Sequence, residues 1–198
     1  MISSSLKPLV TKVINPVARL ALRLGFTPNA VTFIGTLGLV ISASYFLPRG
    51  QLFVGTMAIT FFSLSDLFDG AMARISQTGA SKWGGFLDST LDRISDAAIH
   101  LGISIYLIQQ SDTLAYVVLC ALVVGFLISY IRAKAESLNI ECSAGIAERT
   151  ERLALVLTSI GLAGLGVPYA LAIGFWILLV LGTITVAQRI LIVKKATH

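Results

Sequence analysis

Apolar segments of about twenty residues recur along the chain and are separated by short polar breaks. An α-helix needs ~20 apolar residues to cross the hydrocarbon core of a bilayer, where it satisfies its own backbone hydrogen bonds. Charged residues make up only 13% of the chain, whereas soluble domains carry about 25%. The sequence therefore predicts an all-α integral membrane protein rather than a soluble domain.

The polar breaks divide the chain into six predicted transmembrane helices. Several breaks contain turn-forming residues, as at Pro48 and Gly50 and again at Gly166 and Pro168, where a helix ends readily. The predicted spans cover residues 29–47, 52–74, 84–108, 114–135, 149–165 and 169–193. Together they predict one membrane domain, with a six-helix bundle over residues 27–198.

Residues 1–26 predict an amphipathic helix that precedes the bundle. Val17 and Leu20 fall on one face of this helix, whereas Arg19 and Arg23 fall on the other. A basic helix of this kind lies in the membrane interface, with its cations toward anionic headgroups. No cleavable signal peptide is expected, because the first apolar run begins late.

The distribution of basic residues predicts the orientation in the membrane. With a cytoplasmic amino terminus and six spans, Arg49 is the one residue among 15 Lys and Arg that falls on the opposite side. Cytoplasmic loops are enriched in Lys and Arg. We therefore expect a multi-pass membrane protein, with both termini and the aspartates described next at the cytoplasmic face.

Four aspartates stand close together in a chain that is otherwise poor in charge. Asp66 and Asp69 are three residues apart, and Asp88 and Asp92 are four apart, so each pair shares one helical face. Uncompensated carboxylates are costly inside a membrane, which favours a metal site or a role in proton transfer. Without His or Cys nearby, the expected metal is Mg²⁺ or Mn²⁺, and such ions serve phosphoryl chemistry.

Three glycines accompany the aspartates, at Gly70, Gly84 and Gly85. They admit two interpretations. Glycine lets a ligand approach the backbone closely, and small residues also let membrane helices pack closely. Among so many carboxylates, close approach of a nucleotide is favoured.

The cysteines and histidines predict no further site. Cys120 and Cys142 lie far apart in the sequence and are expected to be free thiols, and no zinc spacing is present. His100 lies in an apolar segment and is interpreted as a packed core residue.

A second polar cluster, rich in arginine, lies farther along the chain. One interpretation is that its cations anchor the helices at the interface. The alternative is a phosphate site, since Arg presents a fork of N–H donors. Phosphate binding is favoured for Arg149 and Arg152, which share a helical face beside acidic residues that could orient them. The members of the cluster are Arg132, Lys134, Arg149, Arg152 and Arg189.

The aspartates and glycines belong to one longer pattern, D-x-x-D-G-x-x-A-R followed by G-x-x-x-D-x-x-x-D. This pattern resembles the signature of the CDP-alcohol phosphatidyltransferases. The spacer between Arg74 and Gly84 holds nine residues, whereas the family most often has eight. The eight matching positions are Asp66, Asp69, Gly70, Ala73, Arg74, Gly84, Asp88 and Asp92.

The resemblance implies a homodimeric membrane enzyme that uses CDP-diacylglycerol. In such an enzyme, the four aspartates hold two Mg²⁺ or Mn²⁺ ions per site, and Asp92 is also the general base. Membrane lipids surround the protein, and no nucleic acid is expected as a partner. The implied contacts to CDP-diacylglycerol come from Asn29, Ala30, Val31, Thr32, Gly70, Arg74 and Ser81.

Residues 129–152 resemble the acceptor region of actinobacterial phosphatidylinositol phosphate synthases. The resemblance implies that Arg132, Lys134, Arg149, Arg152 and Arg189 hold the phosphate of inositol 1-phosphate (1D-myo-inositol 3-phosphate). The products would be phosphatidylinositol phosphate and CMP. One alternative is phosphatidylglycerol phosphate synthesis with glycerol 3-phosphate, and choline or serine would bring no phosphate to these cations. An alternative of a different class is a cation transporter that uses the aspartates as a relay.

Overall fold

A computed structural model describes residues 14–76, 81–142, 145–146 and 148–197. Within these residues the secondary structure is α-helical and includes no strand. Residues 1–13 of the predicted amphipathic helix lie outside this part. The helices are α1 (14–23), α2 (Pro28–Phe46), α3 (Leu52–Ser63), α4 (Ser65–Ile75), α5 (Lys82–Gln109), α6 (Leu114–Ser137), α7 (Arg149–Gly164) and α8 (Ala170–Ala196).

Four helical stretches in the described part are long and apolar enough to cross a membrane, as expected of a multi-pass membrane protein. They are Pro28–Phe46, Leu52–Ile75, Leu114–Ser137 and Ala170–Ala196. The third and fifth predicted spans coincide with α5 and α7. Helix α5 is long enough but contains several charged residues, and α7 has only 16 residues.

The second predicted span is interrupted, which the apolar pattern did not indicate. Helix α3 ends at Ser63 and α4 begins at Ser65. The Ser63 hydroxyl donates to the carbonyl of Thr60 at 2.8 Å, and the Leu64 N–H lies 3.2 and 3.3 Å from the carbonyls of Thr60 and Phe61. Such side-chain bonds and tightened turns bend helices. The interruption directly precedes the helix that carries Asp66.

The described residues of the ranges 14–42 and 58–95 form one compact unit. A Cβ atom at Gly35 of α2 would overlap the side chain of Ser65. Glycine therefore allows α2 to approach the start of α4 closely. The buried core of this unit contains Ile14, Ala18, Ala71 and Met72.

Helix α1 ends at a glycine turn. Gly25 has a φ of +87°, and the Phe26 N–H donates to the carbonyl of Ala21 at 3.0 Å, as in a Schellman motif. Val17 and Leu20 are exposed, whereas Ile14 and Ala18 are buried. Some apolar residues of α1 therefore face the protein, whereas others lie on its exposed side.

The described residues of the ranges 43–57 and 96–197 form a second compact unit, in which α6 and α7 both pack against α8. Close approach again depends on glycine, because a Cβ atom at Gly174 of α8 would overlap Ser159 of α7. His100 is 8% exposed and meets the ring of Phe175 edge-on, which confirms its prediction as a core residue. Cys120 and Cys142 are free thiols, also as predicted.

Candidate functional site

A cavity of about 370 Å³ opens in the first unit, at the start of α2 and of α5. This volume lies in the range of ~300–1,000 Å³ that is usual for small-molecule sites. Among the residues predicted to contact a CDP-lipid, the cavity is lined by Asn29, Thr32, Gly70 and Ser81. The remaining lining residues are Thr27, Pro28, Asp69, Ala73, Gly84, Gly85 and Asp88.

Three other residues predicted as CDP-lipid contacts do not line this cavity. Ala30 and Val31 lie on the same helix as Asn29, and Val31 packs against the buried core of the first unit. Arg74 lies in the last turn of α4 and is exposed. The resemblance treated these positions as one set, whereas the helical turn directs neighbouring side chains to different faces.

Two capped helix amino termini meet at the cavity. The Thr27 hydroxyl accepts a hydrogen bond from the Ala30 N–H at 3.2 Å, and Pro28 occupies the first position of α2. The Ser81 hydroxyl accepts from the Gly84 N–H at 2.9 Å at the start of α5. Such caps explain why the helices begin here. Helix amino termini favour negatively charged groups, including phosphates.

Asp69 is the most buried of the four aspartates, at 8% exposure. The Thr32 hydroxyl donates to its Oδ2 atom at 2.5 Å. This hydrogen bond joins α2 to α4 and fixes the direction of the carboxylate. The Thr32 hydroxyl and the Gly70 backbone N–H do not replace the full hydration of a buried carboxylate, so a cation or a proton is needed as well.

The other aspartates differ in their relation to the cavity. Asp88 lines it from α5, and both Asp66 and Asp88 act on Asp69 by electrostatic repulsion. Asp66 and Asp92 are not among the lining residues. The Asp92 Oδ2 atom lies 3.8 Å from Nη2 of Arg93.

The donor chemistry of the cavity suits a hard divalent cation. Asp69 and Asp88 both contribute carboxylate oxygens to it, and such oxygens are the ligands that Mg²⁺ and Mn²⁺ prefer. Nowhere in the described ranges do three Asp, Glu, His or Cys side chains already form a metal-ligand cluster. Coulomb repulsion opposes the gathering of several carboxylates, so a cation would have to draw these aspartates together.

The surroundings of the three glycines show which of them are needed for helix packing and which leave space for a ligand to approach the backbone. Among the described residues, a Cβ atom at Gly85 would meet nothing within 4 Å, and one at Gly70 would meet only Arg74 Nη1 at 3.6 Å. A Cβ atom at Gly84 would lie 3.0 Å from Asn29 Oδ1. Packing therefore explains Gly84, whereas no described residue packs closely enough to require glycine at Gly70 or Gly85. Both of those positions face the cavity.

Gly70→Ala provides the first test of this distinction. Because alanine fits at this position in α4, we expect the melting temperature to be kept or raised. Binding of a labelled CDP-lipid should weaken about tenfold, since the methyl group occupies the space that a ligand would use. Gly84→Ala is the contrasting variant and should lower the melting temperature. Unchanged lipid binding by Gly70→Ala would show that this glycine has no ligand role.

The predicted acceptor residues lie in the second unit and have unequal environments. Arg132 is 53% exposed on the side-chain scale, and its Nε atom donates to Glu136 Oε1 at 2.8 Å. Exposed ion pairs of this kind contribute only ~0–1 kcal/mol. Lys134 is also exposed. These two residues have the exposure expected of interfacial anchors.

Arg189 is buried, at 3% exposure. Its Nη1 atom donates to the carbonyl of Ile128 at 2.7 Å. A Cβ atom at Gly145 would lie 3.6 Å from Nε of Arg189, so the backbone at residue 145 passes close to the guanidinium. An anchor that reaches toward headgroups would be exposed, which makes that interpretation untenable for Arg189.

Arg149 and Arg152 lie in the first turn of α7, where Arg152 is only 9% exposed. The sequence suggested that nearby glutamates orient them. Glu148 and Glu151 form a capping box, in which the Glu148 N–H donates to Glu151 Oε2 at 3.0 Å. The glutamates thus satisfy backbone groups at the start of the helix.

Comparisons with known proteins converge on one family. The profile of the CDP-alcohol phosphatidyltransferases matches residues 26–191. A phosphatidylinositol phosphate synthase of Cutibacterium acnes is 43% identical over 93% of this chain and 94% of its own length. One from Streptomyces avermitilis is 39% identical over 98% of this chain and 83% of its own length.

Solved structures are also similar to this chain. The crystal structure of Mycobacterium tuberculosis phosphatidylinositol phosphate synthase with CDP-DAG bound has a TM-score of 0.87 and 40% identity, and covers 92% of this chain and 94% of that one. The complex of the same enzyme with manganese and citrate has a TM-score of 0.85 and 40% identity, over 91% of this chain and 88% of that one.

Proposed function

The chain belongs to the CDP-alcohol phosphatidyltransferase family, and we propose that it transfers the phosphatidyl group of CDP-diacylglycerol to inositol 1-phosphate, releasing CMP. The observation that carries this proposal is the cavity of the first unit, where Asp69 and Asp88 meet two capped helix amino termini. The relatives named phosphatidylinositol phosphate synthase support the acceptor. A cation transporter is set aside, because this family consists of enzymes.

The cavity binds the CDP moiety of the donor lipid. Thr32 and Ser81 border it from the two helix starts, and Gly70 leaves room beside the backbone. The helix amino termini favour the negative diphosphate. CDP-DAG bound to the M. tuberculosis enzyme supports this donor. For Ala30, Val31 and Arg74, the proposed contacts rest on the family resemblance alone.

Asp66, Asp69, Asp88 and Asp92 would hold two divalent ions, Mg²⁺ or Mn²⁺. When bound, such ions neutralise the diphosphate and the departing CMP. The manganese complex of the M. tuberculosis enzyme supports a divalent metal. Thr32 contributes by fixing the direction of the Asp69 carboxylate.

Asp92 acts as the general base in the proposed reaction. The acceptor hydroxyl oxygen forms a bond to the phosphorus that carries the diacylglycerol, and the bond from that phosphorus to the CMP oxygen breaks. The hydroxyl proton passes to the Asp92 carboxylate. CMP leaves with the electron pair of the broken bond.

The acceptor phosphate is bound by Arg132, Lys134, Arg149, Arg152 and Arg189. This role is best supported for Arg152 and Arg189, because both are buried. An arginine that only anchored a helix at the membrane interface would not need to be buried. A guanidinium can hold phosphate through two parallel N–H bonds. Arg132 already pairs with Glu136, so its share in acceptor binding is expected to be smaller.

The same proposal includes the arrangement in the membrane. Helices α5 and α7 complete a bundle of six spans within one domain, and the amphipathic helix over residues 1–26 lies in the interface. Both termini and the active site face the cytoplasm of a bacterial cell, as the distribution of basic residues favours. Two copies of the chain form a homodimer.

Arg152→Ala tests the acceptor site. A charge-assisted bond to phosphate contributes roughly 1.5–3 kcal/mol, so the KM for inositol 1-phosphate should rise about ten- to a hundredfold. The KM for CDP-diacylglycerol should change much less. Arg49→Ala is the matched control, because Arg49 is an exposed arginine that pairs with Tyr45 at the end of α2. An ordinary acceptor KM in the Arg152 variant would contradict the phosphate role.

The choice of acceptor is tested by CMP release from purified protein with CDP-diacylglycerol and Mg²⁺. Inositol 1-phosphate should support release, and unphosphorylated inositol should not. Glycerol 3-phosphate carries the same phosphate and is the competing substrate. Faster release with glycerol 3-phosphate would assign the chain to phosphatidylglycerol phosphate synthesis instead.

A further inference from the structure

A second, much smaller cavity lies within the second unit, between α5, α6, α7 and α8. Its volume is about 20 Å³, which is enough for one water molecule and far too small for a substrate. Most of its lining is apolar. Its polar and charged lining residues are Asp96, His100 and Arg152.

The imidazole of His100 has a defined hydrogen-bonding pattern. Its Nδ1 atom lies 2.7 Å from the carbonyl oxygen of Asp96. A carbonyl only accepts hydrogen bonds, so Nδ1 must carry the proton. Burial disfavours a charged imidazole, and Arg152 nearby would repel a second positive charge, so the ring is neutral and Nε2 is an acceptor. In the described part of the chain, this buried Nε2 atom has no hydrogen-bond partner.

Arg152 brings the complementary chemistry to the same cavity. A guanidinium has five N–H donors and no acceptor. It can therefore donate to a water molecule on one edge and still present other N–H groups to a phosphate. A water molecule in the cavity would accept from Arg152 and donate to Nε2 of His100, which satisfies the buried imidazole acceptor.

We propose that His100 is a positioning residue for Arg152, and that one buried water molecule joins the two side chains. The water-mediated contact holds the guanidinium in the direction that binds the acceptor phosphate. This inference rests on the proposed function of Arg152. His100 itself does not touch the substrate, and its effect is on acceptor binding rather than on the donor lipid.

The test compares two replacements of His100 in the full-length protein, with CMP release measured against inositol 1-phosphate. His100→Phe keeps an aromatic ring against Phe175 but removes the acceptor atom. We expect its acceptor KM to rise about three- to tenfold, with an unchanged KM for CDP-diacylglycerol. His100→Gln places an amide near the position of Nε2 and should restore the acceptor KM to within about twofold of the parent protein.

Ser104→Ala is the matched control, since Ser104 lies one helical turn farther along α5, is 2% exposed, and its buried hydroxyl also has no hydrogen-bond partner among the residues that the structure describes. It should leave both KM values unchanged. If His100→Phe does not fold, His100→Asn replaces it, because the shorter amide cannot reach the position of Nε2. Equal acceptor KM values in the Gln variant and in the Phe or Asn variant would overturn the inference.

Arg152→Ala distinguishes this failure from failure of the proposed function. If Arg152→Ala raises the acceptor KM and neither His100→Phe nor His100→Asn does, only the positioning role of His100 is rejected. If Arg152→Ala has no effect on that KM, the acceptor site itself is misplaced. Parallel melting curves of all variants identify any loss that comes from unfolding.

Discussion

Asp92→Asn should lower the single-turnover release of CMP at least about a hundredfold, because a general base typically contributes 10²–10⁴-fold. Asparagine keeps the shape of the side chain and one oxygen donor, but it does not accept the proton. Binding of a labelled CDP-lipid in the presence of Mg²⁺ should be largely retained. Asp92 is not among the residues that line the cavity of the first unit, which is the structural reason to expect this separation.

Asp69→Asn provides the contrast within the same set of aspartates. Asp69 is buried and lines the cavity, so loss of its charge should weaken binding of the CDP-lipid as well as turnover. Asp112→Asn is the control, because the Asp112 carboxylate accepts a hydrogen bond from the Leu114 N–H at 2.8 Å and the side-chain oxygen of asparagine can accept the same bond. Near-normal CMP release by Asp92→Asn would show that Asp92 is not the general base.

Removal of divalent metal should abolish activity completely. The proposed site offers carboxylate oxygens and no thiolate or imidazole, so EDTA should stop CMP release, and added Mg²⁺ or Mn²⁺ should restore it. Recovery after removal of the chelator distinguishes metal loss from irreversible unfolding. Full activity in excess chelator would contradict the metal-site proposal. Restoration of activity by Zn²⁺ alone would indicate that the metal ligands are softer than these aspartates.

The helices were largely predictable from sequence because their limits depend on local chemistry. The predicted span over residues 29–47 corresponds to Pro28–Phe46, and 114–135 corresponds to Leu114–Ser137. Apolar runs and turn residues mark these limits directly. The interruption at Leu64 was not predicted, because it depends on hydrogen bonds of Ser63 and Leu64 within an apolar run.

The candidate site was predictable in its residue types but not in its contacts. Spacing placed Asp66 and Asp69 on one helical face, yet the bond from Thr32 to Asp69 joins residues 37 positions apart. Likewise, burial of Arg189 against the carbonyl of Ile128 depends on the packing of α8 with α6. Tertiary packing also distinguishes Gly84, which is crowded, from Gly70 and Gly85, which are not.

Identification of the lipid product tests the central proposal most directly. Purified protein would be incubated with CDP-diacylglycerol, Mg²⁺ and an equimolar mixture of inositol 1-phosphate and glycerol 3-phosphate, and the lipids would be analysed by mass spectrometry. We expect phosphatidylinositol phosphate as the main product, in a one-to-one ratio with CMP. Phosphatidylglycerol phosphate as the main product, or CMP without any new lipid, would contradict the proposed function.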